Sequence, residues 1–325
     1  MSIGLQQHPG AVAPLAGDQE PEVGPAERAI TAVIVGAPFA AVVFGLVWFW
    51  GRGVHLRDVL LAVALFFVIG HGITIGFHRM LAHRSFVACR PVKLALLALG
   101  SMAFQGGPIG WVADHRRHHV FSDLADDPHS PHRYGRGARR QLRGLWHSHV
   151  GWLFTGHRTS WSRHAADLLV DRDVVRINAL FPLWCVASLA VPFGLGWLLG
   201  GGLGTALTAL LWAGGVRIFF IHHVTWSVNS LCHTFGRRPF HTTDRSTNLA
   251  AAAILTMGES WHNGHHAFPR SARHGLLAGQ WDSSALLIRG LERVGWARDV
   301  HQPRPEAVRR KLRQASQDGE VREPQ

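Results

Sequence analysis

Four stretches of the sequence are long and apolar enough to constrain the fold before any motif is considered. Ala29–Trp50 contains no charged residue, and Val59–Phe77 has His71 as its only ionisable side chain. Ala179–Gly200 and Leu203–Val224 form a second pair. Each stretch approaches the roughly 20 residues that an α-helix needs to cross a bilayer. The sequence therefore predicts an all-α integral membrane protein with four transmembrane helices arranged as two hairpins.

Arginine and lysine are distributed unevenly around these spans. Residues 84–178 hold 14 of the 33 basic residues and residues 225–325 hold another 14, whereas the connectors within each pair of spans carry only Arg52 and Arg57. Basic residues near the ends of spans mark the cytosolic side of a membrane. We therefore expect both long segments and both termini in the cytosol of a cell-membrane protein. This topology explains the net charge of +12 without nucleic acid as a partner.

The chain is predicted to consist of one membrane domain between two polar tails. Residues 1–27 lack any periodic apolar pattern, which is typical of a disordered tail. Residues 28–300 form the membrane domain, and residues 301–325 form a polar C-terminal tail. Within the domain, residues 78–178 and 225–300 are expected to fold into a cytosolic helical cap.

A further apolar stretch, Val92–Ala113, is interrupted by Gln105–Pro108. A fifth crossing there would place the histidine clusters on its two sides on opposite faces of the bilayer. We therefore expect an embedded, broken helix instead of a span.

Histidine is unusually abundant, with 23 of 325 residues, and much of it is clustered just outside the predicted spans. The clusters follow the patterns HxxxxH, HxxHH, NxxxH and HxxHH. Their members are His78, His83, His115, His118, His119, Asn229, His233, His262, His265 and His266.

The spacing within the clusters predicts where the imidazoles point. Histidines at i, i+3 and i+4 share one face of a helix, so each HxxHH cluster can direct three rings into one site. His78 and His83 are five residues apart and diverge by about 140° on a regular α-helix. They are therefore expected either to bind two different ions or to lie on a distorted helix end.

Nine imidazoles exceed the four to six ligands that one ion takes, so the clusters predict a dinuclear metal site in the cap. Cysteine does not contribute a second kind of site, because Cys89, Cys185 and Cys232 form no CxxC pair. Metal-bound imidazoles usually donate their second N–H to a carboxylate or carbonyl. The candidate carboxylates are Asp114, Asp123, Asp126, Asp127, Asp244 and Glu259.

A metal site at the end of membrane spans is readily reached by a lipid chain. Attack on an unactivated C–H bond of such a chain requires a redox-active metal and O₂, which excludes zinc and favours iron.

With these clusters, the sequence resembles the membrane-bound acyl-CoA (stearoyl-CoA, delta-9) desaturases. The flanking residues Gly72–His78, Ser148–Leu153 and Gly258–His262 are similar to the same family. The resemblance implies two iron ions, with Asn229 acting through water on the first. It implies ligands His78, His119, His265 and His266 for the first iron. For the second iron it implies His83, His115, His118, His233 and His262.

The resemblance also implies an activity and partners. It implies O₂-dependent insertion of a cis double bond, at delta-9, into a long-chain acyl thioester or acyl lipid. Gln105, Trp111 and Thr225 match positions that line the acyl tunnel, although Trp111 would also suit the membrane interface and Gln105 the broken helix. Because the chain has no flavin motif and no cluster cysteines, a ferredoxin, cytochrome or flavin reductase must supply electrons.

Three alternatives stay open at the level of the sequence. A related diiron hydroxylase would act on a lipid or alkane with the same ligands. A histidine-rich metal transporter would instead place its ligands near the middle of the bilayer. Finally, the arginines that suit an acidic electron donor would also suit anionic lipid or ordinary positive-inside charge. These are Arg116, Arg117, Arg139, Arg140 and Arg143.

Overall fold

The computed structural model describes residues 22–51, 53–156 and 158–317, which form a mostly helical structure. The helices are α1 (Pro25–Phe49), α2 (Leu56–Ala82), α3 (Arg90–Ser101), α4 (Pro108–Phe121), α5 (Ala138–His149), α6 (Trp161–His164), α7 (Ala166–Leu169), α8 (Arg172–Ala179), α9 (Phe181–Gly200), α10 (Leu203–Ser230), α11 (His262–Ala267), α12 (Ser283–Arg293) and α13 (Pro305–Gln317). Short 3₁₀ turns are formed by Gly151–Phe154 and Ala250–Ala252. Two short antiparallel strands, β1 (Val87–Ala88) and β2 (Ala297–Arg298), pair with each other.

Four of these helices, α1, α2, α9 and α10, are long and apolar enough to cross a membrane. This confirms the four predicted spans as helices. The first begins at Pro25, and the second and fourth continue to Ala82 and Ser230, past the predicted ends at residues 77 and 224. The extensions matter because they carry His78 and Asn229 beyond the apolar stretches. Most of the predicted tail, residues 1–21, and the end of the C-terminal tail, residues 318–325, lie outside the described residues.

The helices α9 and α10 are in close contact. A Cβ atom at Gly196 would lie 2.4 Å from the Cβ of Ala209. Arg217 of α10 is 1% exposed, and its Nη2 donates to the carbonyl and the hydroxyl of Ser188, each at 2.9 Å. Arg217 therefore faces the protein interior, where polar side chains of membrane helices find partners.

The last eleven residues of α2, Gly72–Ala82, form a π-helix. Here the amide of His83 donates to the carbonyl of His78 at 3.1 Å, a bond that spans five residues. Residues five apart are therefore brought closer to one face than on an α-helix. Of the two predictions for this histidine pair, the distorted helix end is the one observed.

The π-helix packs closely against α3. A Cβ atom at Gly72 would lie 2.1 Å from the backbone nitrogen of Gly100, so only glycine permits this approach. The helix α3 ends at Ser101, and α4 does not begin until Pro108. The predicted interruption of the Val92–Ala113 stretch is thus confirmed.

The C-terminal helix α13 contacts the segment that carries the last histidine cluster. Lys311 Nζ donates to the carbonyl of Ala267 at 2.9 Å, and Lys311 lies over the ring of Phe268. Part of the predicted polar tail is therefore a helix packed on the protein.

Gly72→Ala is expected to lower the free energy of unfolding by about 1–3 kcal/mol, the usual cost of forcing atoms into a packed interior. The neighbouring atoms belong to backbone, so they cannot move aside as a flexible side chain would. Thermal unfolding of the detergent-solubilised protein measures the change.

Gly36→Ala is the matched control, because Gly36 of α1 has nothing within 4 Å of an added Cβ. Equal stability of the two variants would contradict the close approach of α2 and α3.

Candidate metal centre

Nine histidine side chains from four segments of the chain meet at one end of α2 and α10, in two sets. Within each set the ligand nitrogens all lie within 4.8 Å of one another. The first set consists of His78, His83, His115, His119 and His265. The second set consists of His118, His233, His262 and His266.

In the first set the Nε2 atoms face one another. The Nε2 atoms of His83 and His115 are 2.7 Å apart. His265 Nε2 lies 2.9 Å from that of His119 and 3.2 Å from that of His78. Such convergence of one nitrogen per ring is what binding to a shared ion requires.

In the second set His262 lies between two neighbours. Its Nε2 is 3.1 Å from the Nε2 of His233 and 3.1 Å from that of His266. The Nε2 of His118 is buried and has no hydrogen-bond partner among the described residues. A buried nitrogen without a partner is costly, and a metal ion would satisfy it.

This grouping differs from the one implied by the family resemblance for three residues. His83 and His115 join His78 in the first set, and His266 joins His262 in the second. For His83 the reason is the π-helix, which turns it toward His78. For His266 the reason is its i, i+4 spacing from His262 on α11.

Four of the six candidate carboxylates contact these rings through Nδ1. Glu259 contacts His78. Asp127 lies 3.0 Å from His118 Nδ1, Asp123 lies 2.9 Å from His233 Nδ1 and Asp244 lies 2.8 Å from His266 Nδ1. A carboxylate at Nδ1 holds the proton there and leaves the lone pair of Nε2 directed at the centre. Asp126 lies exposed in the loop after α4 and Asp114 is half-buried in α4.

Negative charge is divided unequally between the two sets. Three aspartates surround the second set, whereas Glu259 is the only carboxylate among these four that serves the first. Glu259 is also paired with a cation, because Arg79 Nη2 donates to its Oε1 at 2.9 Å. Arg79 is fully buried and forms a second ion pair with Asp282 at 3.0 Å. Metal ions bound by the two sets would therefore experience different electrostatic fields.

Six of the nine rings have lowered pKa values and are uncharged at neutral pH. Burial, followed by the charge of neighbouring imidazoles, holds the pKa well below 6.5 for one group of histidines. These are His83, His115, His119, His262 and His265. His266 has its pKa lowered to about 4, again mainly by burial. Unprotonated imidazoles are the form that binds metal.

The aspartates behave in the opposite way. Burial alone would raise the pKa values of Asp123, Asp127 and Asp244, but the adjacent histidines and hydrogen bonds outweigh it and hold them well below 3.8. For His233, burial would lower the pKa, yet Asp123 outweighs it and raises the pKa.

Three buried residues of the centre were not predicted from the sequence. The ring centroid of His129 lies 4.4 Å from that of His118, and the ring centroid of His274 lies 4.4 Å from that of His265. Both lie outside the HxxHH clusters, so the spacing that identified the other histidines did not identify them. Arg79 follows His78 directly, but its partners lie about 180–200 residues away in the chain.

A cleft with about 550 Å³ of empty space, which includes solvent at its open mouth, adjoins the two sets and is called the cavity below. His78, His115, Glu259 and His262 line one end, and Phe66 and Gly70 of α2 line it as well. Phe66 and His78 are twelve residues apart, or roughly 18 Å along a helix. The cavity therefore extends from the histidines along the apolar part of α2.

Two of the three predicted substrate residues, and Asn229, lie at this cavity. Trp111, Thr225 and Asn229 line it, and the ring of Trp111 stacks on His115 with centroids 5.2 Å apart. Gln105 is not among the lining residues, but its Nε2 donates to Thr225 Oγ1 at 3.0 Å.

The sequence profile of the fatty acid desaturase family matches residues 58–286, which include every histidine of both sets. The chain belongs to the fatty acid desaturase family. It is thus a desaturase-type oxidoreductase with histidine clusters that can hold metal and four helices that can span a membrane.

Curated relatives of this desaturase differ in substrate. It is 38% identical over 276 residues to a hex-5-enoyl-[acyl-carrier protein] acetylenase of Moorena producens, covering 84% of this chain and 86% of that protein. It is 39% identical over 261 residues to delta-9 acyl-lipid desaturase 1 of Arabidopsis thaliana, covering 77% of each. It is 36% identical over 270 residues to an sn-1 stearoyl-lipid 9-desaturase of Anabaena variabilis, covering 82% of this chain and 89% of that protein.

Asp127→Asn is expected to weaken metal binding by about 10–100-fold, because it removes the charge that orients His118. Chelator competition, with metal content measured by mass spectrometry, determines the affinity.

Asp126→Asn is the control, since it makes the same chemical change at the exposed neighbouring position. The assignment of Asp127 is wrong if both variants bind metal as tightly as the unaltered protein.

Proposed function

We propose that this desaturase inserts a cis double bond at delta-9 of a long-chain acyl group, using O₂ and two iron ions. The observation that carries the proposal is the position of the two histidine sets at the end of an apolar cavity between α2 and α10. A single elongated cavity that joins a metal-binding cluster to membrane-spanning helices suits an acyl chain.

The histidines fit two metal ions by number, by the direction of their Nε2 atoms and by the carboxylates behind them. The first set would hold one ion and the second set the other, with Asn229 acting on the first through water. Iron supplies reversible redox chemistry with O₂, which zinc does not. The net reaction removes two hydrogens from adjacent carbons and reduces O₂ to two waters, with two electrons from an external donor and two protons from the solvent.

The protein contributes orientation and exclusion of water. Trp111 and Thr225 would contact the acyl chain near the metals, and the hydrogen bond from Gln105 would hold the Thr225 side chain. Fixing which carbons face the metals determines the position of the new double bond. The apolar remainder of the cavity keeps water from the reacting carbons.

We further propose that the four spans form two hairpins, with the histidine sets and both termini in the cytosol beneath the cell membrane. The basic segments on either side of the spans support this orientation. The acyl group would arrive as a thioester or as a membrane lipid, the two classes named among the relatives. Electrons would come from an external ferredoxin, cytochrome or flavin reductase.

Expression with a compatible electron donor, followed by gas chromatography–mass spectrometry of total fatty acids, tests the activity. We expect a new monounsaturated acid with its double bond at delta-9. The His265→Ala variant should not form this acid, because it lacks one of the histidines of the first set. Membrane insertion of the variant should be unchanged. A product that gains one oxygen, instead of losing two hydrogens, would identify a hydroxylase and contradict the proposal.

Phe66→Ala is expected to shift the products toward longer acyl chains, because Phe66 lines the cavity at the position farthest along α2 from His78. Gly70→Val should shift them toward shorter chains, since its side chain would enter the cavity beside Met257. The same fatty acid analysis measures both.

Phe67→Ala serves as the control. It is the same substitution at the neighbouring position, but Phe67 does not line the cavity. Identical chain-length profiles for all three variants would show that the acyl chain does not occupy this cavity.

A further inference from the structure

One part of the surface is strongly basic. Residues 128–166 contain no aspartate or glutamate. Seven arginines within this stretch are exposed, and we refer to the five that lie between residues 133 and 143 as the basic surface. They are Arg133, Arg136, Arg139, Arg140 and Arg143.

The basic surface is firmly attached to the structure beneath it. Gly144 of α5 packs on Pro131, whose carbonyl oxygen would lie 1.8 Å from an added Cβ. His147 Nε2 lies 3.2 Å from the carbonyl of Pro128, and Arg143 lies 4.2 Å from the centre of the Tyr134 ring. The helix α5 and the loop before it therefore form one unit.

Two aromatic side chains connect this unit to the second histidine set. Trp152, in the 3₁₀ turn after α5, is half-buried, and its ring lies 5.2 Å from that of His129. His129 is 3% exposed, and its ring lies 4.4 Å from that of His118 at an angle of 31°. Nothing in the proposed reaction uses Trp152 or His129, yet they bridge the distance from the surface region to a metal ligand.

Two other arginines, expected to belong to the same surface, have different roles. Arg116 is mostly buried, and it donates to the carbonyls of Leu81 and Ala82 and pairs with Asp167. It therefore ties α4 to the end of α2. Arg117 donates to the carbonyl of Asp126.

We propose that a negatively charged one-electron carrier protein docks on the basic surface and that its electrons reach the second histidine set through Trp152 and His129. The inference rests on the proposed function, which requires an external donor. Each transfer oxidises one reduced carrier by one electron and adds that electron to the metal ion that His118 would bind. No covalent bond forms or breaks, and two transfers supply one turnover.

The aromatic path favours a carrier protein over a lipid surface. Anionic lipid would also attract the arginines, and exposed Leu142 and Trp146 on α5 could contact a bilayer. Binding to a lipid surface would not, however, explain why Trp152 and His129 form a path of aromatic rings that ends at a metal ligand. The test therefore compares both occupants directly.

The first experiment measures binding to the metal-loaded full chain in phosphatidylcholine nanodiscs, with an acidic [2Fe–2S] ferredoxin as the probe. Replacing Arg139, Arg140 and Arg143 together with alanine should raise Kd at least about tenfold at low salt, because the opposite charges attract the probe. The matched control removes three exposed arginines elsewhere, Arg289, Arg293 and Arg298, and should leave Kd unchanged.

The second experiment follows anaerobic electron transfer from reduced ferredoxin by the absorbance of the ferredoxin itself. Trp152→Leu should slow the first-order transfer at least about tenfold, and Trp152→Phe should recover part of the rate. Phe154→Leu, an exposed aromatic in the same 3₁₀ turn, is the control and should transfer at the normal rate. Metal content, thermal unfolding and reduction by dithionite should be equal in all three variants.

Two results would overturn the proposal. If the triple arginine variant loses binding to phosphatidylglycerol vesicles but keeps its affinity for ferredoxin, the basic surface is a membrane contact. If Trp152→Leu is normally folded and metal-loaded and transfers electrons at the normal rate, the aromatic route is wrong. Neither the Kd nor the rate of electron transfer depends on product formation. If the protein forms no double bond when dithionite supplies the electrons, that result would refute the proposed function and not the docking site.

Discussion

Nine imidazole rings share one small buried volume, where most of them are uncharged and direct one nitrogen toward a common centre. Protonated rings at these separations would repel one another, and burial would add the cost of removing each charge from water. These two effects hold the pKa values of His83, His115 and His265 well below 6.5. The aspartates behind the second set complete the arrangement, because they fix which nitrogen of each ring is free to bind metal.

The backbone of α2 makes this convergence possible. A regular α-helix would turn His83 away from His78, whereas the π-helix from Gly72 to Ala82 brings both into the first set. The widened helix fits against α3 only because Gly72 and Gly100 allow the two backbones to meet. Local sequence, helix geometry and metal binding are thus linked, and the cavity follows the same helix from His78 in its π-helical part to Phe66 in its regular part.

The sequence allowed much of this structure to be predicted, for physical reasons that differ from part to part. The spans follow from hydrophobic length, and the HxxHH clusters follow from helical periodicity, because both signals are local. The predicted ends of α2 and α10 lie several residues before the observed ends, because the last turns of both helices are polar and are stabilised by the histidine network. The division of ligands into two sets, the role of Arg79 and the positions of His129 and His274 depend on contacts between distant segments, which spacing along the chain does not encode.

The claim on which the account depends is that the two histidine sets hold two iron ions. A crystal structure of the protein purified from iron-supplemented cells, with anomalous diffraction recorded on both sides of the iron absorption edge, tests it directly. The account predicts two iron peaks in each chain, one enclosed by His78, His83, His115, His119 and His265 and the other by His118, His233, His262 and His266. A single iron peak, or iron bound away from these rings, would contradict it.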